Sequence, residues 1–266
     1  SLPPARLQEA PFEYYRTFRS GTGVVEVRMR ERRGALVADS PSALPRGDRA
    51  RIERAVARMF RLGDDLSAFY ARIAADAQLG WAAAGAGRLL SSPTVFEDVV
   101  KTICTTNCAW SATIRMTAAL VERGGGTFPE PGVLAETPER WYSDVARMGY
   151  RGPYVREIAR RVSVGELDLE SLLPVRGRSD DDVESALLAL PGVGPYAAAH
   201  IMQLLGRYHR LVLDSWTRPT YLRLSKRKRA TDATIRRDFA RYGEYAGLAF
   251  WLFVTRDWVE DNRASG

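Results

Sequence analysis

Two features of this chain combine residue types and spacing that suit chemistry: Asp214, which closes the apolar run LVLD, and the turn Pro191-Gly192-Val193-Gly194 upstream of it. A carboxylate at the end of an apolar segment is costly to desolvate unless it faces a polar cleft or caps the helix expected to begin near Trp216. Both roles fit Asp214, and one aspartate can fill both. The turn has its own logic. Its glycines reach backbone conformations closed to other residues, and they let a phosphate approach the main-chain N–H groups at the mouth of the following helix, where the helix dipole favours an anion. A generic connection between two helices fits the same residues.

The elements that must position these groups are legible from periodicity. Phe12 to Phe18, a turn at Ser20-Gly21-Thr22-Gly23 and the alternating run VVEVRMR read as a β-hairpin, with Leu36 and Val37 as a short third strand. PSALPRGD, from Pro41 to Asp48, breaks the chain. Beyond it the spacing is helical, as in Ile52, Val56, Met59 and Phe60, and in Leu66, Phe69, Tyr70 and Ile73. Pro93 opens a longer helix, and Gly124-Gly125-Gly126 stops the helical region that follows. Further helices are expected over 135–147, 153–163, 180–189, 195–206, 231–241 and 244–258. The expected architecture is α+β and mainly α: a small N-terminal antiparallel β-sheet over 1–45, and a helical body over 46–266 that carries the hairpin at about 180–206 and a catalytic cleft.

Composition narrows the function classes. A net charge of +7 and an isoelectric point near 9.6 make an anionic partner such as nucleic acid plausible. The N-terminus lacks a basic region followed by a continuous apolar run, and no stretch reaches the roughly eighteen apolar residues of a membrane span, so a cytoplasmic protein without a membrane partner is expected. Cys104 and Cys108, four apart, supply neither a disulfide framework nor the thiolates of an iron–sulfur cluster. His200 and His209 do not cluster with them at ligand spacing, so no side-chain metal site is expected, and His200 reads as packed in the hairpin's second helix.

LPGVGPYAA followed by Asp214 closely resembles the signature of the helix-hairpin-helix DNA glycosylase superfamily. The resemblance extends from about Met59 to Trp258, through FEDVVKTICTTNCAWSATIRMTAALVERGG, ARMGYRGPYVREIARRV and YGEYAGLAFWLF. It implies a base-excision-repair enzyme that flips a damaged base out of double-stranded DNA and hydrolyses its N-glycosidic bond, acting as a monomer and associated with the nucleoid in a bacterium. By this resemblance Asp214 is the catalytic carboxylate. It would stabilise the oxocarbenium-like transition state, and loss of such a group commonly costs on the order of a hundredfold in rate.

Members of the superfamily that also cut the strand carry a Schiff-base lysine where this chain has Tyr196, so the resemblance implies a monofunctional enzyme that uses water. Asn107 matches the wedge that fills the vacated stack, and Tyr150 and Arg151 match a second insertion element. Gly192 and Gly194 would grip the DNA backbone, as would the basic run of Lys226, Arg227, Lys228 and Arg229. No cofactor is required. The main-chain carbonyls of Leu188, Leu190 and Val193 match a monovalent-cation site at the hairpin.

Two departures set the expected substrate apart from oxoguanine. The arginine that reads the opposite cytosine, five places after the wedge, is Ala112, and the lesion-reading glutamine aligns with Phe250. Tyr196, Phe250 and Trp251, with Trp110 and Trp216, would instead line a pocket for a cationic alkylated purine, attracted to ring faces by roughly 0.5–2 kcal/mol. Oxoguanine or another damaged base is the alternative substrate, and a non-catalytic protein that binds DNA structure is the alternative of another class.

Overall fold

A computed structural model describes residues 1–9, 11–21 and 23–264, with side chains as far as Trp258; Thr22, in the expected hairpin turn, lies outside the described residues. Four strands, β1 (Ala5–Glu9), β2 (Phe12–Ser20), β3 (Gly23–Arg32) and β4 (Ala35–Asp39), form one antiparallel meander in the order of the chain. Twelve α-helices are described: α1 (Arg46–Met59), α2 (Ser67–Ile73), α3 (Val95–Thr105), α4 (Trp110–Arg123), α5 (Pro131–Glu136), α6 (Glu139–Asp144), α7 (Arg151–Ser163), α8 (Asp180–Leu188), α9 (Pro195–Leu205), α10 (Thr217–Leu224), α11 (Asp232–Phe239) and α12 (Ala246–Ala264). No described helix is long and apolar enough to cross a membrane. The chain is mainly α with a small N-terminal sheet, as its periodicity predicts.

Contacts divide the chain into two compact units, Ser1–Met59 with Ser92–Ser171, and Phe60–Ser91 with Leu172–Gly266. In the first, the pairs Tyr14–Met29, Arg16–Val27 and Phe18–Val25 lie across the β2–β3 ladder and bury one face of the sheet. Arg16 stands in that apolar face because α3 supplies its counter-charge. Its Nη2 donates to Glu97 Oε2 at 2.7 Å, and Lys101 reaches Glu97 Oε1 at 2.7 Å. On the same helix Asp98 takes Arg58 at 2.9 Å and the Ser92 N–H at 2.7 Å. Buried charges persist only when paired in this way.

Thr94 caps α3 by accepting the Glu97 N–H, and the glycines 124–126 end α4. At Gly124 a Cβ would meet the Thr127 carbonyl at 2.1 Å, so only glycine allows the chain to fold back there. The helix expected over 135–147 is in fact two short ones. Pro138 lacks an N–H and bars α conformation at Thr137, whose ψ is 129°, so α5 stops and α6 starts afresh. Strand β1, absent from the sequence expectation, is an edge strand with both faces largely open, and it therefore lacks the alternation that marks a half-buried strand.

The second unit is helical around one apolar cluster, with Phe69, Ile73, Tyr221, Phe239, Leu248, Phe250 and Phe253 at its centre. α8 and α9 form the hairpin, and α12 packs on α10 and α11 while its Trp251 meets His200 of α9. The approach of α12 depends on Gly247, whose N–H donates to the Tyr208 carbonyl at 2.7 Å and where a Cβ would meet the Arg210 carbonyl at 2.1 Å. One turn further along α12 stands Trp251, whose ring adjoins those of His200 and Trp216.

Candidate active site beside Asp214

Ser179 caps α8 through the Asp182 N–H, and three aspartates in the first turn complement its dipole. The helix ends in a tight reversal: the Leu190 N–H donates to the Leu187 carbonyl at 3.0 Å and the Val193 N–H to the Leu190 carbonyl at 3.2 Å. Gly192 lies at φ 80°, the left-handed region that favours glycine, and Pro195 opens α9. At the head of α9, Gly194 is exposed with no heavy atom within 4 Å of where a Cβ would stand. The first N–H groups of α9 thus meet an open surface, the arrangement that suits an anion.

Asp214 is a helix cap. Its Oδ1 accepts the Trp216 N–H at 2.8 Å and the Thr217 N–H at 2.6 Å, while its own N–H donates to Thr217 Oγ1 at 2.8 Å. This reciprocal lock fixes the carboxylate at the head of α10. Its Oδ2 takes no part in the cap, and the residue is half-buried. The two roles that the sequence left open are therefore compatible: one oxygen positions the side chain and the other remains available.

Around Asp214 the second unit gathers aromatic rings. Tyr196 stacks on His200 at 6.2 Å between centroids and 17° between planes, and His200 meets Trp251 edge-on at 6.4 Å. Trp251 adjoins Trp216 at 6.2 Å and Trp258 at 6.2 Å, and Trp216 lies 5.3 Å from Trp258. Tyr196, His200 and Trp251 are half-buried, whereas Trp216 and Trp258 are exposed. Packing around the His200 ring pushes its pKa down to about 4, against the opposing pull of the Asp214 carboxylate.

Tyr196, Trp251 and Trp216 thus cluster together, but Phe250 does not belong with them. It has no exposed surface and packs edge-on against Phe239 at 5.2 Å in the apolar cluster, because successive residues of α12 point to different faces. Trp110, 58% exposed, opens α4 in the first unit. The sequence reading assigned His200 to packing and did not include Trp258 among the pocket residues. The four-residue step from Tyr196 to His200 and the seven-residue step from Trp251 to Trp258 are the signals that place each pair on one helix face.

In the first unit, Asn107 sits in the turn between α3 and α4 at φ 45°, exposed, and its Nδ2 donates to the Tyr150 hydroxyl at 3.3 Å. Arg151 departs from expectation. Rather than projecting for insertion it is buried, donating to the Thr106 carbonyl, to Thr106 Oγ1 at 3.4 Å and to the Met148 carbonyl at 3.3 Å. Its guanidinium also lies 4.6 Å from the Tyr150 ring. A planar fork whose donors are spent on main-chain carbonyls braces the turn and is not available to a base.

Of the basic run, Lys226, Lys228 and Arg229 are exposed, and Arg227 is held by Asp238 at 2.9 Å. Lys101 is half-buried and paired with Glu97. No group of three metal-binding side chains occurs among the described residues.

No family model matches the chain. A probable N-glycosylase/DNA lyase from Methanothermobacter thermautotrophicus is 26% identical over 213 residues, 67% of each chain. Among solved structures, an 8-oxoguanine glycosylase/lyase from Clostridium acetobutylicum, bound to double-stranded DNA, superposes with a TM-score of 0.71 at 20% identity over 96% of this chain and 88% of the other. The 3-methyladenine DNA glycosylase from Archaeoglobus fulgidus gives 0.72 at 18% identity over 96% and 90%. With its hairpin, its capped aspartate and its small antiparallel sheet, the chain has the fold of the helix-hairpin-helix DNA glycosylases, the superfamily its sequence resembles.

Proposed function

We propose that this protein is a monofunctional DNA glycosylase that releases a damaged purine, with alkylated purines as its preferred class. The observation that carries the reading is Asp214, locked by the N–H groups of Trp216 and Thr217 with its second oxygen unspent, beside the half-buried rings of Tyr196, His200 and Trp251. The two N–H bonds fix the direction of the carboxylate before reaction. As the base leaves, positive charge develops on the sugar. A preorganised carboxylate stabilises it, and the attacking water is positioned by the same group.

The absence of strand cleavage is supported by Tyr196 at the first turn of α9, since a phenol forms no Schiff base, and by the ion pair that holds Lys101 to Glu97. The related archaeal protein carries a lyase in its name, so strand cleavage is the part of the reading that the borohydride test below decides. Preference for an alkylated purine is supported by the ring faces of Tyr196, Trp251 and Trp216, which attract a cationic base. Gly192, Gly194 and the α9 N-terminus would hold the DNA phosphate. The main-chain carbonyls of Leu188, at the negative end of α8, and of Leu190 and Val193, in the turn after it, would hold a monovalent cation. A cation bound there would add positive charge for the same phosphate.

Duplexes carrying single defined lesions, incubated with the protein and then treated with alkali, test the reading. Release of a methylated purine is expected, together with a loss of at least about a hundredfold in the Asp214→Asn variant and no borohydride-trapped complex. Asparagine caps a helix as well as aspartate does, so the variant keeps the fold. One observation favours the non-catalytic reading: the cap alone already gives Asp214 a complete structural role. Unchanged release in Asp214→Asn would uphold that reading for Asp214, and no release from any lesion would uphold it for the whole protein.

A further inference from the structure

His200 is the polar side chain that the chemistry above leaves unused. Buried polar groups in native proteins are almost always hydrogen-bonded, and a histidine held only for packing ordinarily gives one ring nitrogen to a carbonyl or carboxylate. Here Nδ1 is sealed from solvent with no hydrogen-bond partner, and no described residue bonds Nε2. The ring is held nonetheless. It stacks on Tyr196 one turn earlier on α9 and meets Trp251 edge-on, and it is close enough to Asp214 to feel its charge. A fixed imidazole with both nitrogens unspent, in an aromatic slot beside the candidate carboxylate, is a recognition group awaiting a planar ligand with a polar edge.

Resting on the glycosylase reading above, we infer that His200 is a specificity-determining residue whose imidazole makes one hydrogen bond to the edge of the extruded base. A neutral imidazole offers one donor and one acceptor, so it matches either kind of group on a purine edge. The low pKa supports this use. At neutral pH the ring carries no charge, and a cationic alkylated base enters the slot without repulsion and keeps its attraction to the rings of Tyr196 and Trp251. A cationic side chain at this position would oppose the same base. An uncharged aromatic ring would stack on it but read nothing.

Single-turnover release from duplexes containing 7-methylguanine or oxoguanine, compared among wild type, His200→Phe and His200→Gln, tests the inference. His200→Phe is expected to slow release of the preferred base roughly tenfold, the value of one hydrogen bond, while affinity for a duplex carrying a tetrahydrofuran abasic analogue stays within about twofold. His200→Gln, which keeps a donor and an acceptor, should recover part of the loss. Equal release by wild type and His200→Phe would overturn the inference, as would parallel loss of abasic-duplex affinity.

A second measurement needs no variant. In wild-type protein labelled at the imidazole nitrogens, free 7-methylguanine should shift the His200 signals and leave those of exposed His209 in place. A silent His200 in a protein that releases the base overturns this inference alone. Failure to release any base overturns the glycosylase reading, and this inference with it.

Discussion

The turn that carries Asn107 and the slot beside Asp214 use polar groups in opposite ways. In the turn the polar groups are spent on the protein: Arg151 serves the carbonyls of Thr106 and Met148, and Asn107 and Tyr150 bond each other. In the slot they are held but not spent. Asp214 is fixed through one oxygen, and His200 is fixed by ring contacts with both nitrogens unbonded. A group whose donors are satisfied internally gives shape, whereas a group that is positioned yet unsatisfied stores interaction energy for a ligand. Damage to the turn should therefore appear as lost stability, and damage to the slot as lost chemistry.

The largest expected effect is in the slot. Asp214→Asn should lower base release at least about a hundredfold while thermal unfolding barely moves, since the cap survives; a large drop in Tm together with the rate would make Asp214 structural and erase the contrast.

Next is the turn. Arg151→Ala removes a buried guanidinium and leaves carbonyls unserved, so a loss of about 2–4 kcal/mol in denaturant unfolding is expected. A stability change near zero would place Arg151 with the free groups and restore it as an insertion residue.

The third effect arises from His200 and depends on pH. Its folded-state pKa, about 4, lies below the ordinary value of 6.5, so on acidification the unfolded chain takes up the proton first. The contribution is complete above about pH 6.5, falls as pH drops towards 4, and amounts to up to about 3 kcal/mol. Urea unfolding of wild type between pH 7 and pH 4.5 should therefore be steeper in pH than that of His200→Phe; identical slopes would mean that the ring is open to protonation when folded.

The smallest effect is Tyr150→Phe, which deletes one exposed hydrogen bond to Asn107 and should cost under about 1 kcal/mol of stability. Any larger change in base release would show that the pair meets DNA.

Much of the fold was legible because local rules govern it. The alternation of Val25, Val27 and Met29, the LPGVG turn and the glycines that end α4 each act over a few residues, and each is found where periodicity and turn chemistry place it. Edge strand β1 was not legible, because an exposed strand has no face to mark. The break at Thr137-Pro138 was missed although its signal, a proline within the helical pattern, lies in the sequence. In the site, Tyr196, Trp216 and Trp251 could be grouped by resemblance, but the same route brought in Phe250, which α12 turns into the apolar cluster.

The sequence by itself determined the element order, the hairpin and the place of the aspartate that ends the LVLD run, since patterning, glycine positions and charge are properties of the chain. Only the tertiary structure decided which oxygen of Asp214 is spent on the cap, that Arg151 turns inward and that His200 is held without a partner. Those outcomes depend on which groups from distant segments arrive within hydrogen-bond reach, and a linear pattern does not encode that reach.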